Sequence, residues 1–392
     1  LVSDPGLDFS RMMARKDEVV ERLVSGVESL MDARKIQVIA GHGELASPTG
    51  IRISGESSKE LEVKEIIIAT GSVPAKPPVP GVDLPAVMTS REILGLQEPP
   101  HDLVIIGGGA IGVEFASIFN ALGTKVTVVE MLPSLVAPVD EELGRRCTQL
   151  LRRQGVDIHL RSSLKEIAER DGSVEVIYEG PQGEGAIAAD AVLLATGRVP
   201  LTEGLNLGNV GVKLERGAIA VDEHMATSVP GIYAIGDVTG GWMLAHVASR
   251  EGEVAAEHAL GRDSTMDYTA VPNCVFTLPE MAGVGLTEQE VKEQGIPYRK
   301  SRFPFSASGR ALAMGQTTGL VKMICEQDSR RILGLHIMGP HATDMIAEGA
   351  LAIQSGATAE DIVRTIHAHP TLPEAVREAA LGQMEGAIHV VS

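Results

Sequence analysis

The run Asp102-Leu-Val-Ile-Ile-Gly107, passing straight into Gly107-Gly-Gly-Ala-Ile-Gly112, leaves this chain few choices of fold. Five residues with an apolar centre ahead of a glycine cluster predict a buried strand. The Ala-rich stretch from about Ala110 to Leu122 predicts a helix, and Lys125-Val-Thr-Val-Val-Glu130 a second strand, which together make a βαβ unit. In such a unit Gly107 permits the tight turn, Gly109 lets a pyrophosphate approach the backbone, and Gly112 lets helix and strand pack closely. The helix N-terminus offers free N–H groups to the anion, so Gly107, Gly108, Gly109, Ala110, Ile111, Gly112, Val113 and Glu114 form a candidate dinucleotide loop. Glu130, twenty-three positions after Gly107, is placed to accept hydrogen bonds from ribose hydroxyls. It repels a 2′-phosphate, and Met131-Leu-Pro-Ser-Leu135 offers no arginine to hold one, so NAD is expected over NADP.

At 392 residues the chain is too long for one ordinary core, and two to three domains are expected. Hydrophobic residues at 44% and charged residues at 22% fit a folded protein rather than a disordered one. A formal charge of −18 repels phosphate backbones and anionic lipid surfaces, so neither nucleic acid nor membrane is an expected partner. No apolar run of about eighteen residues and no basic-then-apolar leader appear, which reads as a cytoplasmic protein. Cys147, Cys274 and Cys325 are far apart and odd in number, so they are read as buried small side chains, with neither a disulfide framework nor a metal site.

Phe9 to Ala33 has the spacing of an amphipathic helix, with Met12, Met13, Val19, Val20, Leu23, Val27, Leu30 and Met31 on roughly one side, expected to pack into a core. From Ile36 to Ile68 short β-rich runs broken by glycines predict a small antiparallel meander. Four prolines between Ser72 and Gly81 predict an extended connector. Beyond Tyr268 the pattern is α+β: strands Gly319–Cys325 and Ile332–Met338, then helices Thr343–Ser355 and Thr358–Ile366.

Two further places carry candidate chemistry. His367 and His369 precede Pro370, with Glu374 five positions beyond the second; a carboxylate there can fix an imidazole tautomer, the arrangement of a general base. Their spacing is not that of a metal pair on one helix face. Asp237 follows a short apolar strand, where it either faces a ligand crevice or caps the next helix.

Taken in order, Ala69-Thr-Gly-Ser72, Gly107–Glu114, Thr196-Gly-Arg-Val-Pro200, Ala234-Ile-Gly-Asp237, Met243-Leu-Ala-His246, Val271–Glu280 and His367-Ala-His-Pro-Thr-Leu-Pro-Glu374 resemble the flavoprotein disulfide reductases across essentially the whole chain. Within them the His-Ala-His-Pro form and the acidic residue at 130 look more like the dihydrolipoamide dehydrogenases than the glutathione reductases.

The resemblance implies an α/β fold of two Rossmann-like nucleotide-binding domains, the FAD part incomplete and the NAD part complete, plus a C-terminal α+β interface (dimerisation) domain. It implies residues 1–75 as part of the first FAD-domain segment, 76–198 as the NAD domain, 199–266 as a second FAD segment and 267–392 as the interface domain. By the same likeness His369 is the base that deprotonates a dithiol, with Glu374 behind it, acting in the active site of the other subunit of a homodimer. Asp237 with Met243, Leu244, Ala245 and His246 would contact the flavin side of FAD; Gly43, Thr70, Gly71 and Ser72 would lie along the rest of FAD, and Gly197 along NAD.

The activity so implied is oxidation of protein-bound dihydrolipoamide with hydride transfer through FAD to NAD, served by the lipoyl domain of a 2-oxo acid dehydrogenase complex or glycine-cleavage system. The family's first glycine fingerprint and its Cys-x4-Cys pair are missing, so the chain reads as a piece of a longer protein, inactive alone. Another disulfide reductase of the same build, and a non-catalytic NAD-binding dimer, stay open as alternatives.

Overall fold

Ile66–Ile68 pairs in parallel with Ile232–Ala234, more than 160 residues further along, and this closes the first of two compact units in the computed structural model. The structure describes residues 6–55, 58–170, 172–384 and 386–389. The first unit comprises residues up to Ala75, Leu94–Glu98 and Gly197–Asp267; the second comprises Lys76–Ile93, Pro99–Thr196 and residues from Tyr268 onward.

In the first unit the short strands owe their pairing to apolar side chains that meet on one side: Leu45, Ile66, Ile68, Leu205, Ile219, Ile232 and Val238 are all buried together. Strands His42–Ser47, Gly50–Ser54 and Lys59–Glu62 form the expected antiparallel meander. Ser72–Pro74 runs antiparallel to Arg198–Pro200. The two long-range pairings bring the segments around residues 70, 198 and 237 to one place.

The opening helix spans Phe9–Ala33, and Asp8 caps it by accepting from the Arg11 N–H at 2.9 Å. Its expected core role is not what the structure shows. Only Phe9 is buried, while Val20, Leu23, Val27 and Leu30 are each more than half exposed. Periodicity fixes which residues share a face, but not whether a second surface meets it, and no described residue of this unit buries that stripe.

The second unit holds a five-stranded parallel sheet in the order Val87–Met88, Ala191–Leu194, Asp102–Ile106, Lys125–Glu130, Asp157–Leu160. Its central strands are apolar on both faces, with Ile105, Val128 and Leu193 fully buried, as a sheet covered on both sides requires. Burying each such side chain contributes about 1.5–3 kcal/mol. The helix Ala110–Ala121 follows the glycine loop and ends where Gly123 takes φ +91 and donates back to the Asn120 carbonyl.

The same unit contains a five-stranded antiparallel sheet, Asn273–Val275, Glu280–Gly285, Ile332–Gly339, Leu320–Glu326 and Tyr298–Pro304 in spatial order. Helices Ala342–Gln354 and Glu374–Leu381 pack on it through Ala342, Ile346, Ile353, Ala375 and Val376. Among the described residues, no helix is long and apolar enough to cross a membrane.

Candidate functional site

The glycine loop lies at the carboxyl ends of the parallel strands, where Asp102–Ile106 has the Lys125 strand on one side and the Ala191 strand on the other. That is the crevice in which doubly wound sheets take nucleotides. Three of its glycines have no room for a side chain. A Cβ at Gly107, whose φ is +107, would fall 2.3 Å from the Ala195 carbonyl oxygen; one at Gly112 would fall 2.0 Å from the Gly107 oxygen; one at Gly108 would meet Leu135 at 2.4 Å.

Gly109 is different. A Cβ there meets nothing within 4 Å, and as N-cap it makes no side-chain hydrogen bond to the first-turn N–H groups. A close-packed turn beneath an uncapped helix end suits a pyrophosphate, and these residues fit a dinucleotide.

Glu130 is buried at the end of its strand. Its Oε2 accepts from the Gly108 N–H at 2.5 Å and its Oε1 from the Leu132 N–H at 2.6 Å, so the carboxylate that sequence placed against a ribose also braces the glycine loop. Glu114 accepts from the Phe276 N–H at 2.9 Å, and burial pushes its carboxyl above the usual range against that bond. Ala110, Ile111 and Val113 lie in the first turns of the same helix.

In the first unit, Ser72, Arg198 and Asp237 form one network. Ser72 donates to Asp237 Oδ2 at 2.5 Å, and Arg198 Nε donates to Ser72 Oγ at 2.6 Å while standing 3.7 Å from the same carboxylate. Asp237 sits inside the short turn Gly236–Thr239, whereas the N-cap of the following helix Ala245–Ala259 is Leu244. The helix-cap reading of Asp237 is therefore replaced by a side-chain network. That helix has no side-chain cap, and Met243, Leu244, Ala245 and His246 lead into it. It is tied to the Asp237 turn by the Gly236 N–H donating to Glu251 at 2.6 Å.

Thr70 donates to the Leu201 carbonyl at 2.7 Å, Gly71 takes φ +72, and Gly43 lies exposed on the meander. Gly197 falls in this unit too, its carbonyl accepting from the Ala75 N–H. A helix end with no side-chain cap, beside a carboxylate and hydroxyls, presents donors and acceptors that fit the polar groups of FAD. Arg198 was not foreseen as part of this set, although it stands in the Thr196–Pro200 block.

The structure separates the two histidines of the C-terminal motif. The His367 ring is 6% exposed on a half-buried residue, with Nε2 2.8 Å from Glu348 and Nδ1 3.0 Å from the Thr365 carbonyl, so both ring nitrogens are engaged. His369 is 79% exposed, and its Nδ1 lies 2.9 Å from Glu374 Oε1. A carboxylate accepts, so Nδ1 carries the proton and Nε2 keeps its lone pair toward the open side. Glu374 also accepts from the Thr371 N–H at 2.8 Å. Burial alone would raise the Glu374 carboxyl, but Thr371 and His369 outweigh it and hold the group below its ordinary value.

Glu348 was missed because it belongs to another helix. Glu378, one turn after Glu374, was missed as well; it holds the backbone of Ile388 and His389 and the His389 ring at 2.9 Å. The three cysteines are free and lie on different elements. Burial pushes the thiols of Cys147 and Cys325 up to about 12, consistent with a packing role.

Residues 3–252 match the pyridine nucleotide-disulphide oxidoreductase family, and residues 271–380 match its dimerisation domain. The chain belongs to this family. It is 40% identical to the mitochondrial dihydrolipoyl dehydrogenase of Pisum sativum over 395 residues, covering 99% of this chain and 79% of that protein. It is also 40% identical to the dihydrolipoyl dehydrogenase of Geobacillus stearothermophilus, covering 98% of this chain and 82% of that one.

Among solved structures, LpdA from Mycobacterium tuberculosis superposes with a TM-score of 0.90 at 28% identity over 97% of this chain and 85% of that one. The HOCl-induced flavoprotein disulfide reductase RclA of Escherichia coli does so with 0.89 at 33%, over 96% and 86%. The chain is a dihydrolipoamide dehydrogenase-like member, an NAD-dependent oxidoreductase with FAD and NAD as cofactors. Its dimerisation domain supports a homodimer.

Proposed function

We propose that this protein oxidises dihydrolipoamide carried on a lipoyl domain and delivers the electrons to NAD. The observation that carries the proposal is the His369–Glu374 pair, with Nδ1 bound and Nε2 free. A thiol is a poor nucleophile and reductant until it loses its proton, and an imidazole with an open ring nitrogen is the side chain suited to take it. Overall, a dithiol loses two protons and two electrons, one S–S bond forms, and NAD+ leaves as NADH with one proton released. When bound, FAD supplies a two-electron carrier between sulfur and nicotinamide.

The chain's residues hold and orient the partners. Gly107–Gly112 and Glu130 would hold NAD. Gly43, Thr70–Ser72, Asp237 and Met243–His246 would hold FAD, Arg198 fixing the Ser72–Asp237 pair. We read residues 76–198 as the NAD domain and 267–392 as the interface domain, the base serving the active site of the second subunit in a homodimer. None of the three cysteines forms a redox pair with another.

The lipoyl substrate is favoured over other disulfides by the relatives at 40% identity that are dihydrolipoyl dehydrogenases. The test is a substrate profile on the complete, flavin-loaded gene product. NAD+ reduction should be faster with dihydrolipoamide, or with a dihydrolipoylated domain, than with reduced glutathione or a simple dithiol. Equal rates with all thiols would reject the lipoyl assignment.

A further inference from the structure

The segment that follows Glu130 is held at both ends. Near its start, the Val136 N–H donates to the Gly108 carbonyl at 2.8 Å, and Leu135, fully buried, packs directly beneath Gly108. At its far end stands Asp140, with no exposed surface. Asp140 Oδ1 caps the helix Glu141–Arg153 through the Glu142 N–H, and Oδ2 accepts from the Glu288 N–H at 3.1 Å.

Both Asp140 oxygens lie 2.8–2.9 Å from the Lys322 ammonium, which comes from the antiparallel sheet and is 1% exposed. Lys322 also reaches Glu288 at 2.7 Å. Gln289 clasps the same turn from either side of Asp140, donating to the Val139 carbonyl and accepting from the Glu141 N–H, each at 3.2 Å.

A buried ammonium facing carboxylates is expensive to desolvate and therefore tolerates little displacement once paired. It fixes Asp140, and through the three residues that separate them it fixes Val136, and with it Leu135, under the glycine loop. We propose that Lys322, acting through Asp140 and helped by Gln289, is a positioning residue for dinucleotide binding: the antiparallel sheet sets the shape of the NAD loop. This rests on the reading of Gly107–Gly112 as the NAD site. None of the three residues touches that loop itself, so substituting them leaves every group that would contact nucleotide in place.

The test is calorimetric titration of NAD into the full chain and into Lys322→Met and Gln289→Ala, each first shown to be folded by its melting transition. Couplings of this kind change affinity by roughly three- to thirtyfold, and both variants should weaken NAD by that factor. Amide exchange should quicken at Gly108 and Val136 relative to the rest of the parallel sheet. Folded Lys322→Met binding NAD as the parent does would overturn the proposal. If that variant does not fold, Gln289→Ala decides, since it removes the clasp and leaves the charges in place. A parent chain that binds no NAD would instead sink the dinucleotide reading on which the proposal stands.

Discussion

Glu374 accepts a hydrogen bond from His369 at 2.9 Å, and it does so from the first turn of the helix that begins at Glu374 itself. The carboxylate is thus carried on a packed helix while the imidazole it orients stands at the open surface. Replacing Glu374 with Gln keeps the shape but lets the side-chain amide donate as well as accept, and the tautomer is no longer fixed. Steady-state turnover of dihydrolipoamide should fall, by less than the 10²-fold or more that general-base removal brings, with flavin content unchanged. Unaltered turnover would detach Glu374 from the base.

Acid should weaken the second unit in two stages. His336 is buried, and burial, with Lys322 adding to it, holds its pKa below the ordinary 6.5 despite the attraction of Asp140. A histidine lowered in the fold is neutral there, so its stabilising share is complete above pH 6.5 and declines as pH falls below it. Glu288 is also held low: burial opposes ionisation, but Lys292, Lys300, Lys322 and Tyr298 outweigh it. Its share is present above the ordinary 4.5 and is lost as pH falls below that value. Calorimetric melts from neutral to acid pH should show both declines, and His336→Gln should remove only the upper one. A melting temperature that rises on acidification would contradict the assignment.

Cys147 and Cys325 should resist labelling in the folded protein, because both are buried with thiols near 12. A colorimetric thiol reagent at mildly alkaline pH should react with at most one group per chain, the partly exposed Cys274, and with all three after denaturation. Rapid native labelling of more than one would show that the packing around these strands is looser than the structure has it.

The opening helix gives a contrast in stability. Leu23 is 66% exposed, so Leu23→Lys should leave the melting transition within about 0.5 kcal/mol of the parent. Ile105 is fully buried in the parallel sheet, and Ile105→Ala should cost about 2–5 kcal/mol. Equal effects of the two substitutions would mean that the helix stripe is covered in solution.

These residues also show what the sequence could and could not convey. The βαβ unit was legible because strand, glycine loop and helix are contiguous, and glycines such as Gly107 and Gly112 are demanded by close backbone approaches. The His369–Glu374 pair was legible for the same reason, its members being five residues apart. The Ser72–Arg198–Asp237 network was not, because it depends on two strand pairings across more than 120 residues. The Asp140–Lys322 contact spans 182 positions, and a lysine within an apolar strand carries no mark of its partner. The helix Phe9–Ala33 was placed correctly, but its burial was not, since amphipathicity reports a face and not what meets it.

The most direct test of the account is His369→Gln in the complete, flavin-loaded gene product, with NAD+ reduction by dihydrolipoamide measured beside NADH-driven reduction of an artificial dye. The base acts only on the thiol half of the reaction. Dihydrolipoamide turnover should therefore fall by about 10²–10⁴ while dye reduction and the flavin spectrum stay at the parent level. Near-parental dihydrolipoamide turnover, or an equal loss in both assays, would contradict the role of His369 as the proton acceptor.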